Sequence, residues 1–246
     1  MDQYETLALI EANQLTHDQY QSFLDEVEKI PSERSPINGK SARLAFEFME
    51  DVGTRITETL HIRKNDLDFE TGIVTVTYPK TEKQCKCSIW RYKDIYTRKR
   101  ILEKSDPNCK VCHGKGRWKK PQKTTFTPRL AERLYDYCQT LKEDNELLWP
   151  TTRQSFWNWG KAAGIKADIN IFQQKDERII KGIFLHLFRA LCSKRITRDS
   201  KDDDYADQLV QCKLRHGISV TDRYTKVDIN YLINWERKTY LPKNSI

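Results

Sequence analysis

The stretch FEFMEDVGTRITETLHIRKNDLDFETGIVTV, residues 46–76, changes its repeat halfway along. Up to Gly53 it is the end of a helix: Leu44, Phe48 and Val52 fall on one side, and the glycine supplies the left-handed stop. Beyond Glu70-Thr71-Gly72 it is a strand, because Ile73, Val74, Thr75, Val76, Thr77 and Tyr78 are β-branched or aromatic and the glycine makes the turn. Arg55 stands between the two patterns, entering the sheet, with Glu58 three residues on. A helix feeding a small antiparallel hairpin predicts an α+β chain.

Working outward, LTHDQYQSFLDEVEKIP reads as a helix with Thr16 as N-cap, Gln19 completing a capping box and Pro31 closing it. KTTFTP, residues 123–128, is the next strand. From Pro128 onward the sequence reads as helical. Leu130, Leu134, Tyr137 and Leu141 form a stripe, and TTRQSFWNWGKAAG stops at Gly164. IIKGIFLHLFRALCSKRITRDS turns Phe184, Leu187 and Leu191 inward, DDYADQLVQCKLRHG ends at Gly217, and NYLINWERKTY is amphipathic. The expected class is mostly α with a small antiparallel sheet, and with a cysteine-bearing basic insertion between its strands.

The 246 residues allow one large domain. Residues 1–14 are taken as an extension and 15–246 as the main domain, with 80–123 inserted and 229–246 as a C-terminal helix and tail. No apolar run approaches the roughly 20 residues that span a bilayer, and the N-terminus has no secretion-type leader. A cytoplasmic, nucleoid-associated protein of a prokaryotic or virus-infected cell is expected. Residues 80–123 hold 15 Lys and Arg against 4 Asp and Glu, whereas the rest of the chain holds 28 against 31. So concentrated a surplus points to a polyanion, most simply double-stranded DNA. Lys83, Arg91, Lys115, Arg117, Lys119, Lys120 and Lys123 are the candidate DNA contacts, with Trp90 and Trp118 able to stack.

Seven cysteines, an odd number, argue against a disulfide framework. Cys138, Cys192 and Cys212 stand alone in helical sequence and read as small core residues. Cys85, Cys87, Cys109 and Cys112 form two close pairs inside the basic segment. Cys85 and Cys87, two apart on a strand, would point the same way, and Cys109-x-x-Cys112 has the spacing of a zinc knuckle. Four thiolates would close a structural Zn²⁺ site, with His113 as a substitute ligand.

His186 and Arg189 share a helix face three residues apart. Singly, such a pair is an ordinary surface feature, and Arg55 with Glu58 an ordinary salt bridge. Tyr224, eight residues after His216, has little apolar sequence to pack against. A phenol is a poor nucleophile near neutral pH, but serves when a phosphate is held beside it by cations and a base takes its proton.

In this order the boxes resemble the catalytic domain of the tyrosine recombinases, of the phage-integrase or Xer type. LTHDQYQSFLDEV is similar to that family's opening helix, the residues around Arg55 to its first arginine box, HLFRALCSKRI to its His-x-x-Arg helix, and KLRHGISVTDRYTKV to its Leu-x-His and tyrosine tail. The resemblance implies that Arg55 and Arg189 clamp a scissile phosphate, Glu58 supports Arg55, and His186 helps to activate the tyrosine. It further implies that His216 donates to a phosphate oxygen and that Tyr224 attacks, leaving a 3′-phosphotyrosyl link and a free 5′-hydroxyl. The lysine that protonates the leaving oxygen would be Lys80 at the end of the strand, or Lys115 in HGKG. The chemistry needs no cofactor, and a homo-tetramer on DNA is implied, the free chain being monomeric. Three features depart from the pattern: the His216–Tyr224 spacing is one residue short, the strand turn carries the long insertion, and the family's N-terminal core-binding domain is expected to be absent. Two other readings stay open, a type IB topoisomerase-like relaxing enzyme and a non-catalytic zinc-stabilised DNA-binding protein.

Overall fold

A computed structural model of the chain describes residues 15–31, 35–78, 82–94, 99–169, 172–175, 178–181, 186–215 and 227–241; of residues 83, 91–94, 99–100, 172–175, 178–181 and 186 it describes the backbone alone. Helix α1 (His17–Lys29) starts at the capping box expected of it: Gln19 N–H donates to Thr16 Oγ1 and Thr16 N–H to Gln19 Oε1. Helix α2 (Gly39–Val52) is capped by Asn38 and stops at Gly53, whose φ of 67° is the left-handed conformation glycine adopts without strain. It is the central helix, buried along most of its length. Phe46 stacks on Phe156 at 4.1 Å and meets Phe23 and Phe188 at 5.2 and 5.0 Å. This aromatic centre lies where α1, α5 (Arg153–Lys166) and α6 (His186–Asp199) converge on α2.

The segment after Gly53 corrects one expectation. Arg55 does not enter a strand; it caps a short helix, α3 (Ile56–Thr59). The reason is local, since Glu58 turns back to accept the Arg55 N–H at 2.9 Å and closes a capping-box turn. The sheet follows as β1 (Leu67–Asp68), β2 (Ile73–Val76) and β7 (Gln122–Thr125), antiparallel in the order β1-β2-β7. Everything between β2 and β7 is inserted. It holds β3 (Lys83–Gln84) paired with β6 (Arg117–Trp118), and within that pair the longer hairpin of β4 (Ser88–Asp94) and β5 (Lys99–Ser105).

Helix α4 (Pro128–Gln139) buries Leu130, Leu134 and Cys138. Helix α5 runs through Gly164 to Lys166 instead of stopping there: Gly164 is a buried packing residue, and the chain turns at Asp168, at φ 50°. The stretch before α6 is not helical either. Phe172–Lys175 (β8) pairs with Arg178–Lys181 (β9), where the adjacent β-branched Ile179 and Ile180 favour strand. Phe184, expected to face inward, lies outside the described residues. Helix α7 (Ala206–Lys213) ends four residues before Gly217, because Arg215 itself takes the left-handed turn at φ 54°. Helix α8 (Ile229–Tyr240), capped by Asp228, packs on α4, α7 and β7. A second, smaller core of Cys192, Ile196, Leu209, Leu214, Val227 and Leu232 joins it to α6 and α7. No helix among the described residues is long and apolar enough to cross a membrane.

Candidate active site

Three chain segments meet at the C-terminal end of α2. Arg189, on the second turn of α6, is 7% exposed. Its two terminal nitrogens donate to the carbonyl oxygens of Gly53 and Leu214. One guanidinium therefore ties the end of α2 to the end of α7, at the points where Arg55 and Arg215 leave those helices. Gly53 can be nothing larger: a Cβ there would lie 2.5 Å from Leu214 Cδ2 and 3.1 Å from Cys192 Sγ.

Glu58 is the hub of the cluster. Its Oε2 accepts from the Arg55 N–H and, at 2.7 Å, from Arg215 Nη2, and its Oε1 accepts from Arg55 Nη1 at 3.0 Å. Burial alone would raise this carboxyl, but the Arg215 charge and the Arg55 N–H and guanidinium outweigh it and hold Glu58 below the usual range. The arginines carry the opposite stress. Arg189 is pushed down to about 10 by burial first, then by the charges of Arg55 and Arg215. Arg215 is lowered by burial and by Arg55. Three guanidiniums around one carboxylate leave a surplus of positive charge in a mostly buried place. Arg55, with its side chain 30% exposed, is the member open to solvent. Such a set is built to take an anion, and a forked guanidinium suits a phosphate.

The structure thus gathers Arg55, Glu58 and Arg189. Lys80, His216 and Tyr224 lie outside the described residues, and His186 is described only as the first residue of α6. Arg215 and Lys213 went unnoticed in the sequence, although both stand in the KLRHG box. Lys213 is fully buried, its ammonium donating to Thr125 O and Oγ1 at 3.0 Å and to Glu236. A lysine flanked by Leu209, Val210, Cys212 and Leu214 was the available signal. Arg215 gave none until its partner Glu58, 157 residues away, was known.

The four paired cysteines of the insertion converge. All four Sγ atoms lie within 4.8 Å of one another, with Cys85 to Cys109 at 3.7 Å and Cys87 to Cys112 at 3.3 Å. A tetrahedral zinc with Zn–S bonds of about 2.3 Å needs S···S edges of about 3.8 Å, so the thiols fit the ion. Cys85 and Cys87 meet the others from the turn after β3, not from a strand. His113 is not in the cluster; it takes a left-handed φ of 49° in the turn that Gly114 and Gly116 continue. The N–H groups of Cys112 and Val111 point at Cys109 Sγ and pull it down to about 7, whereas Cys87 is pushed up to about 12 by desolvation and the surrounding thiols. The unpaired cysteines contrast with these: burial pushes Cys138, Cys192 and Cys212 up to about 11, as inert core thiols require.

Of the candidate DNA contacts, Arg117 lies 4.1 Å over Trp90, and Lys119 Nζ lies 3.1 Å over Tyr78, which stacks on His61. Lys115, Lys120 and Lys123 are exposed. For Lys83 and Arg91 the backbone places are β3 and β4.

No curated protein sequence matches the chain. Among solved structures it is similar to a XerA recombinase, with 15% identity and a TM-score of 0.49 over 93% of this chain and 65% of that one. It is also similar to XerH site-specific recombinase bound to its difH substrate, with 17% identity and a TM-score of 0.47 over 83% and 47%. The catalytic domain of bacteriophage HP1 integrase gives 14% identity and 0.45 over 94% and 96%. The chain therefore spans less than two thirds of the Xer proteins it resembles. Residues 13–230 match the phage integrase family, a stretch that takes in Arg55, Glu58, His186, Arg189, His216 and Tyr224. The chain belongs to the phage integrase family, the tyrosine recombinases.

Proposed function

We propose that the chain cuts and rejoins double-stranded DNA at specific sites, with Tyr224 as nucleophile. The Tyr224 phenol oxygen attacks the scissile phosphorus and the bond to the 5′-oxygen breaks. His186 takes or relays the phenol proton, and Lys80, or Lys115 in its place, gives a proton to the departing 5′-oxygen. Arg55, Arg189 and His216 hold the phosphate oxygens as charge builds on them. The products are a 3′-phosphotyrosyl link and a 5′-hydroxyl. Attack by the 5′-hydroxyl of another strand reverses the step, so no cofactor drives it. The observation that carries this reading is the Glu58-centred cluster, in which buried arginines stand behind an exposed one with positive charge to spare.

The insertion, residues 80–123, serves in this proposal as a basic arm along the DNA backbone. Cys85, Cys87, Cys109 and Cys112 would hold a structural Zn²⁺, which supplies a cross-link and no step of the reaction. Recombination joins two duplexes, so four copies assemble on DNA.

A nicked duplex that loses its short 5′-hydroxyl strand after cleavage traps the covalent adduct, which survives denaturing electrophoresis. The wild-type chain should form it. Tyr224→Phe should bind the same duplex and form none. Wild type without an adduct on its own site, or Tyr224→Phe with one, overturns the reading. Relaxation of supercoiled DNA by the isolated chain without strand exchange would instead favour a type IB topoisomerase-like activity.

A further inference from the structure

Arg215 has no role in the reaction as written. Its side chain is 4% exposed, and among the described residues only Nη2 of its three nitrogens has a partner, Glu58. Nε and Nη1 are buried with no acceptor among the described residues. Buried charged donors without acceptors are costly, and each calls for an explanation, of which a ligand that completes the set is one. The backbone adds a second cost. Arg215 sits at φ 54°, a conformation in which glycine is at ease and a long side chain is not.

Bracing Glu58 does not account for both costs. One N–H does that work, and it leaves the rest of the fork unused. The charges of Arg55 and Arg215 both bear on Arg189, and that of Arg55 on Arg215, so the three cations share one electrostatic neighbourhood. An anion entering beside Arg55 enters the field of all three.

Resting on the strand-cleavage reading above, we propose that Arg215 is a third phosphate-directed arginine: Nε and Nη1 take an oxygen of the DNA phosphate that Arg55 receives, while Nη2 stays on Glu58. Both donors are buried, so the fork has to turn toward the phosphate to take it. The phosphate supplies the acceptor missing from the buried fork and offsets the surplus charge.

The test measures the rate of covalent adduct formation by wild type, Arg215→Ala and Arg215→Lys on two nicked duplexes, one with the natural scissile phosphate and one with a methylphosphonate there. The methylphosphonate carries no charge for a guanidinium to neutralise. On the phosphate, Arg215→Ala should slow adduct formation about 100-fold or more, with Arg215→Lys between it and wild type. On the methylphosphonate the Arg215→Ala deficit should shrink to less than about tenfold, as expected if the missing interaction is with charge. An equal loss on both duplexes makes Arg215 a structural brace, no loss on either makes it a spectator, and each result overturns the proposal. Wild type without an adduct on the natural duplex defeats the cleavage reading alone. Sulfate then decides the anion interaction: it should raise the melting temperature of wild type, and that of Arg215→Lys, or of Arg215→Ala where it folds, clearly less. An equal rise in wild type and variant overturns it.

Discussion

At the scale of single residues, the burial of charge sets the sharpest expectations. Glu58 is the counter-charge of Arg215 and orients Arg55. Removing its charge in Glu58→Gln strands a buried guanidinium and should cost about 3–5 kcal/mol of stability in urea unfolding. A loss below about 1 kcal/mol would mean that the carboxylate is not the partner that matters. Asp51, in the last turn of α2, is a second buried carboxylate. It accepts from the N–H and hydroxyl of Thr127 and from Arg195 at 3.2 Å. Burial would raise its carboxyl, but Arg195, Lys213 and the Thr127 hydrogen bonds prevail and hold it below the ordinary value. A folded value below the unfolded one means that the unfolded chain binds the proton more readily. The stability Asp51 contributes is therefore present above about pH 4 and lost as pH falls through its folded value. Glu58 adds in the same sense, whereas Glu50, raised by burial, acts in the opposite one. Asp51→Asn should be less stable at pH 7, by on the order of 3 kcal/mol, yet lose less than wild type between pH 4 and 2. Unfolding measured across that range checks this, and parallel acid limbs would refute it.

At the scale of elements, α8 is bolted to the sheet by a buried ion pair. Lys213 at the end of α7 meets Glu236 of α8 and the Thr125 oxygens of β7, and Thr124 Oγ1 donates to Lys213 O at 2.9 Å. Either partner removed alone leaves the other charge in the dry core. Lys213→Met should therefore cost about 3–5 kcal/mol, while adding Glu236→Leu to it should restore most of that loss. Additive losses in the double variant would show that the two do not act as a pair. The insertion makes a different expectation. Its β3–β6 pair has two residues per strand, too few to stand without help. The chain should carry about one zinc, and chelation or Cys109→Ser should speed hydrogen exchange in β3–β6 while shifting unfolding of the helical core by less than about 0.5 kcal/mol. Unchanged exchange on metal removal would remove the structural role. Much at this scale was legible in the sequence. The capping box at Thr16 and Gln19, the Gly53 stop and the β1-β2 hairpin follow from neighbours in the chain, and β7 was legible as a strand from KTTFTP. The β8–β9 hairpin was misread as helix although the β-branched Ile179 and Ile180 favour strand, and the passage of α5 through Gly164 was misread because the burial of that glycine does not show in the local pattern.

At the scale of the whole molecule, charge is sorted. Positive surplus is concentrated in residues 80–123, and the remaining body is slightly acidic. If the insertion is the DNA-facing arm, affinity should fall steeply with salt, and Lys120→Glu or Lys123→Glu should lower the slope of log K against log salt by about 0.9 for each phosphate no longer neutralised. Binding titrations at several salt concentrations read this directly, and an unchanged slope would place the DNA elsewhere. The sequence by itself determined most of the helices, the Thr16 cap and the Gly53 stop, the small antiparallel sheet, the position of the basic segment, the two close cysteine pairs and the order of the family's boxes. Those depend on residue type and short spacing, which a linear chain displays. The tertiary structure decided that Arg189 would join the ends of two helices, that Arg215 would share Glu58 with Arg55, and that Lys213 would be buried against Glu236. Each of these hangs on which distant segments are brought together and how dry their meeting place is. Neither the partner of a charge nor the cost of leaving it without one exists until the core closes around it.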